Sequence, residues 1–182
     1  TYPRKTRIAA SAEGYVVTWQ EVGIFADESY LNLVRLDESC ALLAEPSRLL
    51  GEDHATSPFD LVLTADGMAL AWSWSSLPVP DGVSLKLSVL DGEGAALGEP
   101  TPVGTYGEAE VRLAWNGMQV GLVFVGSVED TVVPQDNTVI MARYEADGTL
   151  VEPMETLSEH GESRDPSLVS HDGGFCLVYR ST

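Results

Sequence analysis

Three side chains recur at corresponding places in the chain and could bind a ligand. His54, Tyr106 and His160 each precede an aliphatic residue of a predicted strand by seven or eight positions. Imidazole nitrogens and a phenol oxygen can form hydrogen bonds to a ligand, and imidazole can also coordinate a metal ion. Because the two histidines lie far apart in the repeat pattern described below, we expect them to be too distant to share one ion. They are candidate ligand contacts, with ordinary loop polarity as the alternative.

A second group of candidate binding residues lies in polar segments between predicted strands. Trp74 comes two positions after Trp72, near the end of a strand, where its ring could be a stacking platform for a sugar or a peptide. Carboxylates in these segments could bind a cation or a basic partner, and a solvated loop rim is the simpler interpretation. The carboxylates chosen as candidates are Asp81, Asp130 and Asp136.

No catalytic residue is predicted. The chain has no G-x-S-x-G elbow, no H-E-x-x-H motif, no glycine-rich phosphate loop and no dinucleotide fingerprint. With 28 acidic residues, any choice of two as general acid and base is arbitrary. An enzyme remains the alternative to a noncatalytic protein, because residues from separate repeat units could converge. That enzyme would be a carbohydrate hydrolase or lyase.

Charge and hydropathy exclude several partners. The 182 residues include 10 Lys and Arg against 28 Asp and Glu, giving a net charge of −18. Such a field repels phosphate backbones and anionic lipid, so we expect no nucleic-acid partner. No run of 18 apolar residues is present, so we expect no membrane insertion. The chain begins with Thr1 and shows no signal-peptide pattern, which favours a processed or excised piece.

One spacing between similar residues recurs along the whole chain. An aliphatic residue recurs at Ile8, Leu61, Leu113 and Leu168, with differences of 53, 52 and 55. An aromatic residue follows each by eleven positions, at Trp19, Trp72, Phe124 and Tyr179. A Glu-Pro pair recurs downstream at Glu45, Glu99 and Glu152. A fixed period of this length is typical of a repeat architecture, in which we expect the four aliphatic residues to have corresponding environments.

Each repeat unit contains four short runs of strand-forming residues, which we label a to d. In the second unit they cover about 60–65, 68–75, 83–90 and 95–103. Tight turns such as Asp66-Gly67 and Asp91-Gly92 separate a from b and c from d. The sequence therefore predicts an all-β protein that forms one repeat domain. Its units are about 7–58, 59–109 and 110–165, with a partial unit at 166–182.

These units resemble the divergent blades of secreted bacterial β-propeller repeat proteins. The resemblance rests on Trp19, Trp72, their replacements Phe124 and Tyr179, and the turns after Leu36, Leu90 and Tyr144. It implies three complete blades and half of a fourth, in a secreted or cell-surface protein. The chain lacks the Trp-Asp dipeptide of WD40 blades and the D-x-D-x-D-G calcium loop, and we predict neither a metal nor a cofactor. A β-sandwich and an open solenoid are the alternative folds.

An incomplete ring leaves sheet edges open, so we expect another chain or copy to complete it. We expect Cys40 and Cys176 to be buried and unpaired, with a disulfide as the alternative. The resulting functional hypothesis is a noncatalytic binding module in which the longer loops share one face, and that face binds protein or carbohydrate. A structural subunit that completes a ring by strand-edge pairing is the other alternative.

Overall fold

The computed structural model describes residues 2–22, 29–49, 55–74, 83–106, 110–126, 138–158 and 163–181. All regular elements in these ranges are strands, which confirms the predicted all-β class. No helix in these ranges is long and apolar enough to cross a membrane. The strands are β1 (Tyr2–Ser11), β2 (Gly14–Val22), β3 (Ser29–Leu36), β4 (Ser47–Arg48), β5 (Ala55–Leu63), β6 (Met68–Trp74), β7 (Val83–Leu90), β8 (Thr101–Tyr106), β9 (Val111–Trp115), β10 (Gln119–Gly126), β11 (Thr138–Glu145), β12 (Glu155–Thr156), β13 (Ser163–His171) and β14 (Gly174–Ser181).

The strands form four antiparallel sheets, and within each sheet the order in space follows the order in the chain. We call them sheet 1 (β1 to β4), sheet 2 (β5 to β8), sheet 3 (β9 to β12) and sheet 4 (β13 and β14). The first strands β1, β5, β9 and β13 contact one another in sequence, and we call them the inner strands. The described sheets are therefore arranged side by side, each contacting the next.

Three of the four inner strands, β1, β5 and β13, share a structural irregularity. The pairing shifts at Lys5 in β1, between Thr56 and Phe59 in β5, and between Arg164 and Ser167 in β13. Lys5 and Asp165 have positive φ angles of 32° and 55° at these bulges. Because a bulge bends its strand and increases the twist, the same bend recurs along the array.

The turns between strands also repeat. In the c-to-d turns of sheets 1, 2 and 3, a left-handed residue occupies the corresponding place: Cys40, Gly94 and Gly148, with φ of 63°, 92° and 85°. In the a-to-b turn of sheet 2, a Cβ on Gly67 would lie 2.2 Å from the carbonyl oxygen of Leu90. Glycine is therefore required there by close approach of the backbone.

Large side chains of one sheet pack on small side chains of the sheet before it. In β6, Met68, Leu70 and Trp72 belong to the apolar cluster with sheet 1, whereas Ala69 and Ala71 belong to the cluster with sheet 3. In β10, a Cβ on Gly121 would lie 2.7 Å from the Phe175 ring of sheet 4. Strand alternation therefore divides each middle strand into a bulky face and a small face.

The two end sheets depart from the prediction that repeated residues have corresponding environments. Leu61, Leu113 and Leu168 are each 7% exposed, whereas Ile8 is 68% exposed. Ile8 has the expected register opposite Val17, but its face of sheet 1 has no sheet packed on it among the described residues. Trp19 is half-buried for the same reason, whereas Trp72 is fully buried.

The prediction that both cysteines are buried is wrong. Cys40 and Cys176 are exposed, and no disulfide joins them. Cys40 occupies the left-handed position of an exposed turn. Cys176 lies in β14 between Phe175 and Leu177, which pack on sheet 3, so strand alternation places it on the opposite, uncovered face.

The fourth strand of the second unit begins later than predicted. Residues 95–100 form a turn region closed by the bridge between Leu90 and Ala96, and β8 begins only at Thr101. In sheets 1 and 3 the corresponding strands β4 and β12 have two residues each. An Asp-initiated turn takes up the residues that alternation alone assigned to the strand.

Candidate functional site

The corresponding ends of the sheets lie together. The a-to-b turns of sheets 3 and 4 are joined by a 2.7 Å hydrogen bond from the Asn116 side chain to the Gly173 carbonyl oxygen. A cavity of about 380 Å³ near these turns is lined by equivalent residues of all four inner strands: Ala9, Val62, Ala114 and Val169. The turns therefore share one side of the array, and the opposite strand ends share the other.

We call that other side the loop side. The strand ends that flank residues 23–28, 75–82 and 127–137 all lie there, because β2, β6 and β10 run away from the a-to-b turns. At the junctions between successive sheets, the last residues of β4, β8 and β12 and the first residues of β5, β9 and β13 also lie on the loop side. The connections from β2 to β3, β6 to β7 and β10 to β11 are thus anchored on one side. The opposite side carries the tight a-to-b turns and also the c-to-d connections, which cover 37–46, 91–100 and 146–154.

The structure places two of the predicted site residues by their backbone. Trp74 is the last residue of β6 and pairs with Ser84, while Tyr106 is the last residue of β8 and pairs with Val83. Both therefore end their strands at the loop-side edge of sheet 2, on either side of β7. Their side chains lie outside what the structure describes. His54, Asp81, Asp130, Asp136 and His160 lie entirely outside the described residues, and these remain predictions.

The loop-side edge of sheet 1 carries a third aromatic residue. The Arg48 guanidinium carbon lies 3.6 Å from the centroid of the Tyr30 ring. Beside it, the Asn32 side-chain amide donates a 3.1 Å hydrogen bond to a Glu21 carboxylate oxygen. Tyr30 and Arg48 thus hold an aromatic ring and a cation together at the start of β3, in the arrangement of a cation–π contact.

A set of charged residues lies on the inner strands themselves. Asp60 is buried and connects three sheets, because Arg7 of sheet 1 donates to one carboxylate oxygen at 2.7 Å and the Leu113 backbone N–H of sheet 3 donates to the other at 2.8 Å. Both oxygens are therefore used in holding neighbouring inner strands in register. Hydrogen bonds to an ionised group are stronger than those between neutral groups.

Two more cations and one carboxylate complete this inner-strand cluster. Arg112 donates to Glu110 at 2.8 Å. Partial desolvation lowers the pKa of Lys5, the Glu110 carboxylate opposes that shift, and Arg7 and Arg112 reinforce it. Lys5, Arg7, Asp60, Glu110 and Arg112 thus form a mixed-charge surface with three cations, in a chain whose net charge is −18.

Sequence reasoning missed this inner-strand cluster, although a signal for it exists. Arg7, Asp60 and Arg112 each precede the repeated aliphatic residue by one position. Their charges alternate in sign from unit to unit, so a search for similar residues at the repeat spacing passes over them. The ion pair between units becomes apparent only when the inner strands are known to be neighbours.

Sequence comparison assigns no family to this chain. Comparison with protein-family models and with curated protein sequences finds no match. Among the described residues, no group of three or more His, Cys, Asp or Glu side chains could hold a metal ion. The carboxyl groups with clearly shifted pKa values in the described ranges, Asp37 and Asp147, are both shifted down by hydrogen bonds in c-to-d turns.

Proposed function

We propose that this chain is a noncatalytic binding module of the β-propeller type, whose loop side binds carbohydrate or protein. Four observations support the propeller arrangement: the strand order within each sheet, the adjacent inner strands, the repeated bulges, and the bulky-on-small packing between sheets. In this arrangement, successive sheets are blades and the inner strands surround an axis.

The observation that carries the binding function is the collection of ligand-binding residue types on one side. Tyr30, Trp74 and Tyr106 all end or begin strands on the loop side, and the inner-strand cluster lies on the first strands of sheets 1, 2 and 3. Aromatic rings offer rigid apolar area that can pack on the C–H face of a sugar, and nearby charged groups supply hydrogen bonds. Of the two ligand classes, this combination favours an oligosaccharide.

The cations of the inner-strand cluster suggest which sugars bind best. Lys5 and Arg112 lie on neighbouring parts of that cluster and could accept the carboxylate of a uronic acid. A uronate oligosaccharide is therefore expected to bind more tightly than a neutral one of the same length, in spite of the net negative charge. The preference should decrease as salt screens the local charges.

Calorimetric titration with a neutral hexasaccharide and with a uronate hexasaccharide tests the proposal. Trp74→Ala and Tyr106→Ala should each weaken binding at least about tenfold, which corresponds to about 1.4 kcal/mol. Lys5→Ala should weaken only the uronate. Met118→Ala is the control, because Met118 is exposed beside the a-to-b turn of sheet 3, on the opposite side.

Two results would overturn the proposal. One is the absence of binding of either hexasaccharide at millimolar concentration. The other is an equal loss of affinity in Met118→Ala and in the loop-side variants, which would place the ligand elsewhere. Retained thermal stability of each variant shows that the change acts on binding and not on folding.

A further inference from the structure

Both end faces of the array expose large apolar side chains. We define the head face as the side of sheet 1 turned away from sheet 2, which includes Ile8 and Tyr15 at 68% and 37% exposure. We define the tail face as the side of sheet 4 turned away from sheet 3, which includes Val169 and Val178 at 56% and 66% exposure. Exposed contiguous apolar surface of this kind marks a protein interaction site.

The two faces are the two halves of an interface that the chain already contains. On the second strand of each sheet, the bulky face has Met68, Val120 and Phe175 at the position that Tyr15 occupies on the head face. The small face has Val16, Ala69 and Gly121 at the position that Cys176 occupies on the tail face. The head face is thus a bulky face without its partner, and the tail face a small face without its partner.

The contact between sheets 3 and 4 shows how the faces would fit. The Phe175 ring lies directly over Gly121, where a Cβ would be only 2.7 Å away. Tyr15 and Cys176 are the residues at those two positions on the uncovered faces. Cys176 has a Cβ that Gly121 lacks, so the nearer parallel is the contact between sheets 1 and 2, where Val16 and Met68 share one apolar cluster. In that arrangement the Tyr15 ring of one chain would face Cys176 of another.

We propose that a second copy of this chain packs its head face on the tail face of the first. The occupant is a second copy because the interface between copies continues the packing between successive sheets within one chain. Two copies have eight sheets, within the range of about four to eight blades known for closed propellers. This association uses the outer faces of sheets 1 and 4 and so goes beyond the proposed function. Tyr30, opposite Glu21 on β2, lies where the head face meets the loop side.

The charges near the tail face are compatible with association of two acidic chains. Arg180 and Asp165 form an ion pair at 3.1 Å, so the two formal charges there cancel. On the head face, strand alternation places the uncharged Tyr15, Val17 and Trp19 beside Ile8, and it places Glu21, which accepts a hydrogen bond from Asn32, at the loop-side end. The acidic excess of the chain is therefore not concentrated on either contact surface among these residues.

Sedimentation equilibrium over a range of micromolar concentrations tests the proposal. The wild-type chain should give a mass of at least twice the 19.5 kDa of one chain. Ile8→Asp and Val178→Asp should each weaken association at least about tenfold, because each places a charge in an apolar contact. Met118→Asp is the matched control: Met118 is 67% exposed, close to the values for Ile8 and Val178, but lies on neither end face.

Mixing the two variants distinguishes head-to-tail packing from packing of like faces. Ile8→Asp keeps an intact tail face and Val178→Asp keeps an intact head face, so an equimolar mixture should recover one good contact and form a pair. Packing of two head faces would instead leave Val178→Asp fully associated, and packing of two tail faces would leave Ile8→Asp fully associated. Either of those results overturns the proposal.

A second measurement needs no change on either end face. In Cys40→Ser, Cys176 is the one remaining thiol of the 182 residues. Its rate of reaction with a maleimide should fall at least about fivefold as protein concentration rises into the associated range. A wild-type chain that stays monomeric, or a thiol whose reactivity does not depend on concentration, overturns the proposal.

Saccharide binding on the loop side should be retained in Ile8→Asp and Val178→Asp, so failure of the two proposals can be distinguished.

Discussion

At the scale of single residues, Asp60 has the most consequential position among the described charges. Its two carboxylate oxygens accept hydrogen bonds from two different sheets, and its side chain is 10% exposed. Removal of that carboxylate would leave the Leu113 N–H and the Arg7 guanidinium without this acceptor. Loss of the acceptor costs more free energy for a buried donor than for an exposed one, because water cannot replace it.

We expect Asp60→Ala to lower the free energy of unfolding by about 2 kcal/mol, the range for hydrogen bonds to a charged group. Chemical denaturation monitored by circular dichroism measures this change. Asp165→Asn is the control, since the Asp165 side chain is 60% exposed in its ion pair with Arg180. The control should change stability by less than about 0.5 kcal/mol. Equal effects of the two substitutions would contradict the bridging role of Asp60.

The turn aspartates give a prediction about pH. The Ser39 hydroxyl and the Ala41 backbone N–H donate to Asp37 at 2.7 and 2.9 Å, and these bonds lower the pKa of its carboxyl group below the ordinary 3.8. Because the folded pKa is lowered, the stabilising contribution is present above the unfolded value and is lost as pH falls through the folded value. These hydrogen bonds therefore favour the native turn at neutral pH and weaken in acid.

Ser39→Ala removes the largest cause of this shift and should raise the pKa of Asp37 towards its ordinary value. A carboxyl-detected NMR titration between pH 2 and 6 measures the midpoint directly. The titration of Asp147 provides an internal control, because its pKa is lowered by Thr149 in a different turn. An unchanged Asp37 midpoint, or an equal shift of Asp147, would show that the Ser39 bond is not the cause.

At the scale of elements, the same position of the repeat contributes differently to the free energy of unfolding in different sheets. Trp19 and Trp72 occupy the same place on β2 and β6, but Trp72 is fully buried between sheets and Trp19 is half-buried on the head face. The apolar area removed from water, and the cavity left by truncation, are therefore larger for Trp72. Repetition fixes the register of the two residues, and neighbouring sheets determine their energetic contribution.

Trp72→Ala should lower the free energy of unfolding by about 3–5 kcal/mol, the usual range for truncating a buried aromatic residue. Trp19→Ala should cost less than half as much. Thermal unfolding at low protein concentration, where copies do not associate, compares the two. Similar losses for both variants would show that the head face is covered within a single chain.

The elements that sequence predicts best are those with strong local signals. The second and third strands of the second unit, at Met68–Trp74 and Val83–Leu90, agree with prediction to within one residue because alternation and flanking turns define them. The fourth strand was misplaced because a side-chain-stabilised turn at Asp91 competes with alternation. Burial of Ile8 and Cys176 could not be predicted, because it depends on which sheets lie beyond each end.

The candidate site was predictable only in part. The sequence predicted that the longer loops share one face, but c-to-d connections on the opposite face, such as 91–100, are as long as most of them because the fourth strands are shorter than predicted. The pairing of Arg7 with Asp60 spans 53 residues and carries no local signal. It required the inner strands to be neighbours, which is a property of the assembled sheets and not of any one segment.

At the scale of the whole molecule, stability should be graded along the array. Sheets 2 and 3 have neighbours on both faces, whereas sheet 4 has two described strands and its Cys176 and Val178 are exposed. Local opening requires less free energy where fewer apolar contacts are lost. The end sheets are therefore the least protected parts of the described fold.

Hydrogen exchange measured by mass spectrometry tests this gradient. Peptides covering β14 should exchange at least about tenfold faster than peptides covering β6 and β10 at low protein concentration. Sheet 1 should be intermediate, because it has four strands but one uncovered face. Uniform protection of all four sheets would contradict the gradient and indicate cooperative opening of the array as one unit.

The alternation of bulky and small faces gives the stack of sheets a polarity. Every internal junction is oriented the same way, with bulky side chains of the later sheet entering the space left by small ones of the earlier sheet. Like ends are therefore sterically mismatched, since two bulky surfaces would clash and two small ones would leave voids. Any sheet added to the stack, whether in a grafted repeat or in a neighbouring molecule, must therefore join a bulky face to a small face.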